Sequence, residues 1–189
     1  MAGTLTVQNI QGPTSGANAN KIIIPSGQTL DASSGTFIPD PGAVVQTVSG
    51  FGGDNTTITT TNTFTDTNLS LAITPKYSTS KLIVWATQPM RMQGTGSIIR
   101  TDMRITLSIG GASATAVYNT NYTTEMFQVR GTPGEVSMVG AFVFGSTPAT
   151  TSECVYTLQM YLTGDSGVTN CVAWSGTRGA SMVIQEVAQ

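Results

Sequence analysis

Residues 154–162 read CVYTLQMYL, and apolar side chains occupy alternate positions along the whole stretch. Residues 103–109, MRITLSI, repeat this pattern with Met, Ile, Leu and Ile separated by polar partners. Alternation with a period of two gives a β-strand one buried and one solvated face. Both stretches therefore predict strands that lie half-buried in a sheet, and they indicate an all-β protein.

Helical patterns are nearly absent, because no long stretch keeps apolar residues at i, i+3, i+4 and i+7. Further strands are predicted at residues 69–73, 82–87, 114–118, 126–129, 136–144, 168–174 and 182–187. Turn signals separate them, including GG at Gly110 and TPG at Thr132. Short strands at this spacing predict a jelly-roll-like β-sandwich over residues 44–189.

The composition argues against several classes of function. Only 10% of the 189 residues are charged and the formal net charge is -2, so we expect no nucleic-acid partner. No apolar run approaches the roughly 20 residues that span a bilayer, so we expect no membrane insertion. The chain contains no histidine, which removes Ser-His-Asp and Cys-His nucleophiles and the commonest zinc ligand. We expect no catalytic residues, no metal and no cofactor.

A pair of carboxylates can still cleave a glycan without histidine. The acidic residues of this chain, however, are spread singly through turns and strand ends. We expect solvated surface roles for Asp54, Asp66, Asp102, Glu125, Glu135, Glu153 and Asp165.

The two cysteines are Cys154 and Cys171. If residues 163–167, TGDSG, form a hairpin turn, Cys154 lies opposite a residue beyond Trp174 and not opposite Cys171. We therefore expect two buried free thiols.

Residues 1–43 differ from the rest of the chain. Two short extended pieces, TLTVQNI and KIIIPSG, are separated by small polar residues, and together they bury too little apolar surface to fold alone. Three consecutive isoleucines fit a strand that is covered on both faces, and identical chains can supply that cover. We expect an extended stalk or attachment segment whose contacts between copies use Leu5, Val7, Ile10, Ile22, Ile23 and Ile24.

Three segments, KIIIPSGQTLDASSGTF, LSLAITPKYSTSKLIV and SMVIQEVAQ, resemble parts of tailed-bacteriophage tail fibres, including the opening and the closing strand of a C-terminal domain. The resemblance implies a homotrimeric virion protein. Its N-terminal segment is expected to contact other phage tail or capsid proteins, and its C-terminal β-domain is expected to face outward. No long shaft is recognisable, so attachment to the tail and attachment to the capsid both stay open.

Aromatic residues are the best guide to a binding surface in this sequence. Trp85, Phe142 and Phe144 lie in apolar stretches and are expected in the core. Trp174 and the residues 119–124 are better candidates for display, because aromatic faces and amides suit sugar binding. The residues predicted to bind a receptor are Asn119, Asn121, Tyr122 and Trp174.

We expect a non-enzymatic short tail fibre that binds a host-surface glycan or protein, in a virion assembled in the host bacterial cytoplasm. A capsid decoration or head fibre is one alternative with the same fold. A polysaccharide depolymerase, which is an enzyme, is the second alternative.

Overall fold

The chain divides into two compact units, Met1–Ile38 and Pro39–Gln189. A computed structural model of the protein describes residues 13–17, 19, 22–23, 25–28, 39–95, 98–118, 127–130, 134–164, 167–174 and 179–189.

The first unit contains a turn at the Pro-Ser-Gly sequence, where the Gln28 amide donates a hydrogen bond to the Pro25 carbonyl oxygen at 3.0 Å. Ile22 and Ile23 are 58% and 57% exposed in the single chain. The other residues predicted to join copies lie outside the described residues, namely Leu5, Val7, Ile10 and Ile24.

The second unit is all-β, and no helix occurs among its described residues. Its strands are β1 (Val44–Phe51), β2 (Thr56–Ile58), β3 (Phe64–Ile73), β4 (Lys81–Gly94), β5 (Ile98–Ile109), β6 (Thr115–Tyr118), β7 (Phe127–Arg130), β8 (Gly134–Ser146), β9 (Cys154–Gly164), β10 (Val168–Ala173) and β11 (Ser181–Val187).

These strands form two antiparallel sheets. The six-stranded sheet has the order β1-β11-β4-β10-β2, with β8 also paired to β4. The five-stranded sheet has the order β3-β9-β5-β6, with β7 also paired to β5. Buried side chains from both sheets join one hydrophobic core, so the architecture is consistent with a β-sandwich.

Alternation decides which side chains enter the core. Along β9, Tyr156, Leu158 and Met160 are fully buried, and the residues between them are partly exposed. Along β4, Leu82 and Val84 are buried in the same way. The period-two pattern read from the sequence therefore identified the inward face of β9.

On one of its two sides, β4 changes its partner midway along its length, while β8 pairs with the other side throughout. Its first part pairs with β11, and from Met90 onward it pairs with β10. Between the two partners, the Trp174 amide donates to the Pro89 carbonyl oxygen at 2.9 Å. The Gln88 side-chain amide donates to the carbonyl oxygens of Pro89 and Trp174 at 2.8 and 2.6 Å. Pro89, which has no N–H to donate, is tolerated because it lies between the two pairings.

The predicted turn between β9 and β10 does not form a hairpin. β9 pairs with β3 and β5, whereas β10 pairs with β2 and β4 in the other sheet. Cys154 and Cys171 are nevertheless buried free thiols, as the sequence predicted.

The prediction that Trp85 is a core residue is wrong. Alternation along β4 turns Val84 and Ala86 inward and Trp85 outward, where it remains 37% exposed. Phe142 and Phe144 on β8 do pack against the core, although they are only partly buried.

Two carboxylates are buried, although we expected acidic side chains to be solvated. Asp102, on β5, is 1% exposed. Glu186, which the sequence analysis did not single out, is fully buried on β11. Its carboxylate accepts hydrogen bonds from Gln46 Nε2 at 2.6 Å, the Lys76 amide at 2.8 Å, the Tyr77 amide at 3.1 Å and Ser80 Oγ at 2.7 Å.

Candidate functional site: the outer face of the five-stranded sheet

A polar row crosses three strands on the outer face of the five-stranded sheet. The strand register places Asp66 of β3 beside Gln159 of β9, and Gln159 beside Arg104 of β5. Arg104 Nε donates a hydrogen bond to Gln159 Oε1 at 2.5 Å, and Gln159 Nε2 donates to Asp66 Oδ1 at 2.6 Å. The central glutamine therefore holds a cationic and an anionic side chain in fixed positions.

An aromatic pair lies beside this row. Phe64 is the register partner of Tyr161, and their ring centroids are 5.0 Å apart with a tilt of 42°. The Arg104 guanidinium carbon lies 3.9 Å from the Phe64 ring centroid, which is a cation–π arrangement. Both rings are half-buried, so each is anchored in the sheet while part of its surface reaches solvent.

Asn62 closes the site at the end of the loop that precedes β3. It has a positive φ of 60°, a conformation that asparagine adopts more readily than most residues. Its Oδ1 accepts hydrogen bonds from the Tyr161 hydroxyl at 3.0 Å and from Thr163 Oγ1 at 3.2 Å. The side-chain amide of Asn62 is therefore held next to the aromatic pair. We call the surface formed by Asn62, Phe64, Asp66, Arg104, Gln159 and Tyr161 the β3–β9–β5 face.

Arg104 stays positively charged on this face. Burial lowers the pKa of Arg104, and the nearby Asp66 carboxylate acts in the opposite direction. An arginine pKa starts so far above neutrality that the guanidinium remains charged at neutral pH. Within the described residues, Gln159 bonds to one Asp66 oxygen only, and a carboxylate has two acceptor oxygens.

The β3–β9–β5 face combines features that suit sugar recognition. The exposed parts of the two aromatic side chains offer apolar contact area to the C–H groups of a sugar. Carboxylate, amide and guanidinium groups beside the rings offer acceptors and donors for hydroxyl groups. Because the polar groups are already oriented by each other, a ligand meets a surface that needs little reorganisation.

Three of the four residues predicted to bind a receptor, Asn119, Asn121 and Tyr122, lie outside the described residues, so their role stays a prediction. Trp174 is half-buried just after β10, in the six-stranded sheet, and its backbone is tied to β4.

Sequence reasoning missed the β3–β9–β5 face, although a signal for it was present. The alternation that identified Tyr156, Leu158 and Met160 as inward residues also turns Gln159 and Tyr161 outward. The pairing of β9 with β3 and β5 could not be read in the same way, because it joins segments that are far apart in the sequence. Without that register, the outward residues could not be assembled into one site.

No group of three or more Cys, Asp or Glu residues that could hold a metal ion is found in the described part of the chain. Among the described residues, no helix is long and apolar enough to cross a membrane.

No protein-family model and no curated protein sequence matches this chain. The function is therefore argued from its residues and their arrangement.

Proposed function

We propose that this protein is a non-enzymatic virion protein of a tailed bacteriophage, a short homotrimeric tail fibre that attaches to a glycan on the host surface. The observation that carries the attachment role is the β3–β9–β5 face, where a half-exposed aromatic pair lies beside a hydrogen-bonded row of opposite charges. The tail-fibre assignment and the trimer rest on the resemblance of three sequence segments to such fibres.

We further propose that the β-domain is a jelly roll. In the sheet orders, the long strands β1, β11, β4 and β8 lie together in one sheet, and β3, β9 and β5 lie together in the other with β6 and β7. From β3 to β5 the chain passes from one sheet to the other at each step, and it does so again at β8 and β9. Such crossing between two sheets is typical of the double Greek key of a jelly roll.

The environments of two carboxylates, Asp66 and Asp102, support attachment without catalysis. On the β3–β9–β5 face, Asp66 is hydrogen-bonded to Gln159, and Asp102, the register partner of Tyr161, is 1% exposed. A glycosidase needs two carboxyl groups that flank an open scissile bond. Purified protein incubated with host polysaccharide should leave the length of the polymer unchanged, and chain shortening would instead support the depolymerase alternative.

The glycan site is tested by two variants measured for adsorption to host cells. Phe64→Ala removes the ring under Arg104, and Asn62→Gly removes the side-chain amide while keeping the positive φ accessible. We expect each to weaken adsorption about tenfold, equivalent to about 1.4 kcal/mol.

The matched control is Phe51→Ala. Phe51 is 76% exposed and lies on β1 of the other sheet, so adsorption should not change. Thermal unfolding of all three variants separates loss of binding from loss of folding. Normal adsorption by both Phe64→Ala and Asn62→Gly contradicts the site. Weakened adsorption by both variants, together with no binding of the unmodified protein to purified glycan, instead contradicts the glycan as the ligand.

The location on the tail is tested separately. Density for the chain in images of the intact particle should appear at the tail. Copies distributed over the capsid lattice would instead support a decoration or head-fibre protein.

A further inference from the structure

Two arginines on the outer face of the five-stranded sheet are each held by a glutamine. Arg104 Nε on β5 donates a hydrogen bond to Gln159 Oε1 at 2.5 Å, and Arg130 Nε on β7 donates to Gln128 Oε1 at 2.8 Å. Ile98 of β5 is the register partner of Arg130 and lies an even number of residues from Arg104 on the same strand. Side chains alternate along a strand and register partners share a face, so both arginines point away from the core.

The bonds to glutamine leave the outer ends of both guanidinium groups available to a ligand. An arginine carries five N–H donors, and within the described residues each of these two side chains uses only its Nε donor. Arg104 is half-buried and lies over the Phe64 ring, whereas Arg130 is exposed. Two parallel N–H groups of a guanidinium match the two oxygens of a carboxylate, and the contact is charge-assisted. Each arginine can therefore hold one carboxylate of a ligand.

Positive charge predominates on this side of the sheet. Arg100 lies on the same face of β5 as Arg104, beside Gln128 of β7 in the register. The described outward positions of β3, β5, β7 and β9 carry three arginines and two aspartates. Of the two aspartates, Asp102 is only 1% exposed, so a ligand meets only Asp66, which is on β3 at the edge of the sheet. Such an excess of exposed positive charge attracts an anionic ligand.

We propose that the glycan bound at the β3–β9–β5 face is an acidic polysaccharide that extends towards β7, and that Arg104 and Arg130 each hold the carboxylate of one of its sugar acids. The inference rests on the proposed attachment to a glycan and names the class of that glycan. Six residues of β5 separate Arg104 from the register partner of Arg130, a distance of roughly 20 Å along the strand. The two carboxylates must therefore belong to different sugars of an extended polymer.

The other groups of the β3–β9–β5 face suit the uncharged parts of a sugar acid. The Phe64 and Tyr161 rings offer apolar contact beside Arg104. The Asp66 oxygen that does not bind Gln159 can accept a hydrogen bond from a sugar hydroxyl. Because the Asp66 carboxylate repels a second carboxylate, the carboxylate of the ligand is expected on the side of Arg104 that faces away from Asp66. A sugar acid therefore meets β3 with its hydroxyls and β5 with its charge.

The test measures binding of the full chain to two forms of the purified host polysaccharide by calorimetry. In one form the carboxylates are intact, and in the other they have been reduced to primary alcohols through carbodiimide activation and borohydride. The unmodified protein should bind the reduced polymer about tenfold more weakly, because charge-assisted hydrogen bonds are lost. Arg104→Gln and Arg130→Gln should each weaken binding of the intact polymer by about the same factor. Both variants should bind the reduced polymer as the unmodified protein does, since the contact they lack is absent there.

The matched control is Arg91→Gln. Arg91 lies on β4 of the other sheet and forms an ion pair with Glu135 at 3.3 Å, so its removal should leave binding of both polymers unchanged. Thermal unfolding of the three variants checks that each is folded.

The outcomes separate this inference from the proposed function. Equal binding of the intact and the reduced polymer by the unmodified protein overturns the acidic glycan but leaves attachment to a glycan intact. Binding that is lost only when phosphate groups are removed from the polymer assigns the anion to phosphate and overturns the carboxylate. Arginine variants that bind both polymers more weakly, or both normally, overturn the contacts assigned to Arg104 and Arg130. Binding of neither polymer by the unmodified protein contradicts glycan attachment itself.

Discussion

At the scale of single residues, Glu186 places a fully buried carboxylate in the fold, and such a group needs hydrogen-bond donors. Its buried carboxylate joins β11 to β1 through Gln46 and to the segment before β4 through the amide of Lys76 and the hydroxyl of Ser80. Burial by itself raises the pKa of Glu186, but the hydrogen bonds from Lys76, Ser80, Tyr77 and Gln46 lower it more, and the net pKa is below its usual value. The protein therefore stabilises the ionised form.

We expect Glu186→Gln to lower the free energy of unfolding by about 2 kcal/mol at neutral pH, because an amide replaces one acceptor oxygen by a donor that faces other donors. Chemical denaturation checks this value. An unchanged denaturation midpoint would show that the carboxylate network contributes little to stability.

The contribution of Glu186 to the free energy of unfolding should decrease at acidic pH. Since folding lowers the pKa of Glu186, its contribution is complete above the ordinary value of 4.5 and is lost as the pH falls from there through the lower folded-state value. The difference in stability between the native chain and Glu186→Gln should therefore shrink as the pH is lowered below 4.5. A difference that stays constant over that range would contradict the assignment of the effect to ionisation.

Glu186 also shows what a sequence pattern conveys about a single residue. The alternation in SMVIQEV places it on the same face as Met182 and Ile184, which are buried core residues. Its burial could have been inferred from that position, but the backbone amides that bind it belong to Lys76 and Tyr77, which no local pattern connects to β11. Trp85 shows the opposite case, because residues 82–86 are all apolar and the sequence does not reveal that Trp85 faces outward while Val84 and Ala86 face inward.

At the scale of strands, β8 passes close to the other sheet at Gly140. A Cβ atom added to Gly140 would overlap Met103 Cε and would lie 2.9 Å from Phe127 Cζ. Both of these side chains belong to the five-stranded sheet. Gly140 therefore sets how closely the two sheets approach at this point.

We expect Gly140→Ala to destabilise the domain by about 1–3 kcal/mol, the usual cost of overpacking a core. The matched control is Gly145→Ala on the same strand, where the added Cβ meets only the Lys81 side chain. A lysine chain can move away at little cost, so the thermal unfolding temperature of this control should change little. Equal unfolding temperatures for the two variants would contradict the argument.

The sequence predicted several strands but not which strands pair with each other. Alternation identified segments such as 103–109 and 154–162, which are parts of β5 and β9. It did not identify β1 or β2, where Gln, Thr and Ser interrupt the apolar positions. The hairpin that was considered between β9 and β10 does not form, since the partners of β10 are β2 and β4, which are remote in the sequence.

At the scale of the whole molecule, assembly is expected to depend on the N-terminal unit. Ile23 is 57% exposed in the single chain, and we predict that other copies cover it. Ile23→Asp should reduce the assembled mass measured by light scattering, since an unpaired charge in an apolar interface is costly. Unfolding of the β-domain should keep its midpoint.

Val44→Asp provides the control for this prediction. Val44 is 55% exposed, close to the value for Ile23, and it begins β1 of the second unit. The same charge at this position should leave the mass unchanged. Normal assembly of Ile23→Asp would show that the three isoleucines are not part of the contact between copies.

The position of β11 has a consequence for the time the domain needs to fold. β11 lies between β1 and β4, and its register joins Val187 to Val44, so segments from opposite ends of the second unit must meet before the six-stranded sheet is complete. Closing so long a loop precedes any gain from the contacts it allows, and sandwiches dominated by remote pairings fold on the order of milliseconds to seconds. Until β11 is in place, β1 has no strand partner among the described residues, and the first part of β4 is open on the side that β11 occupies. We therefore expect newly made chains to be most exposed to aggregation before β11 has paired with β1 and β4.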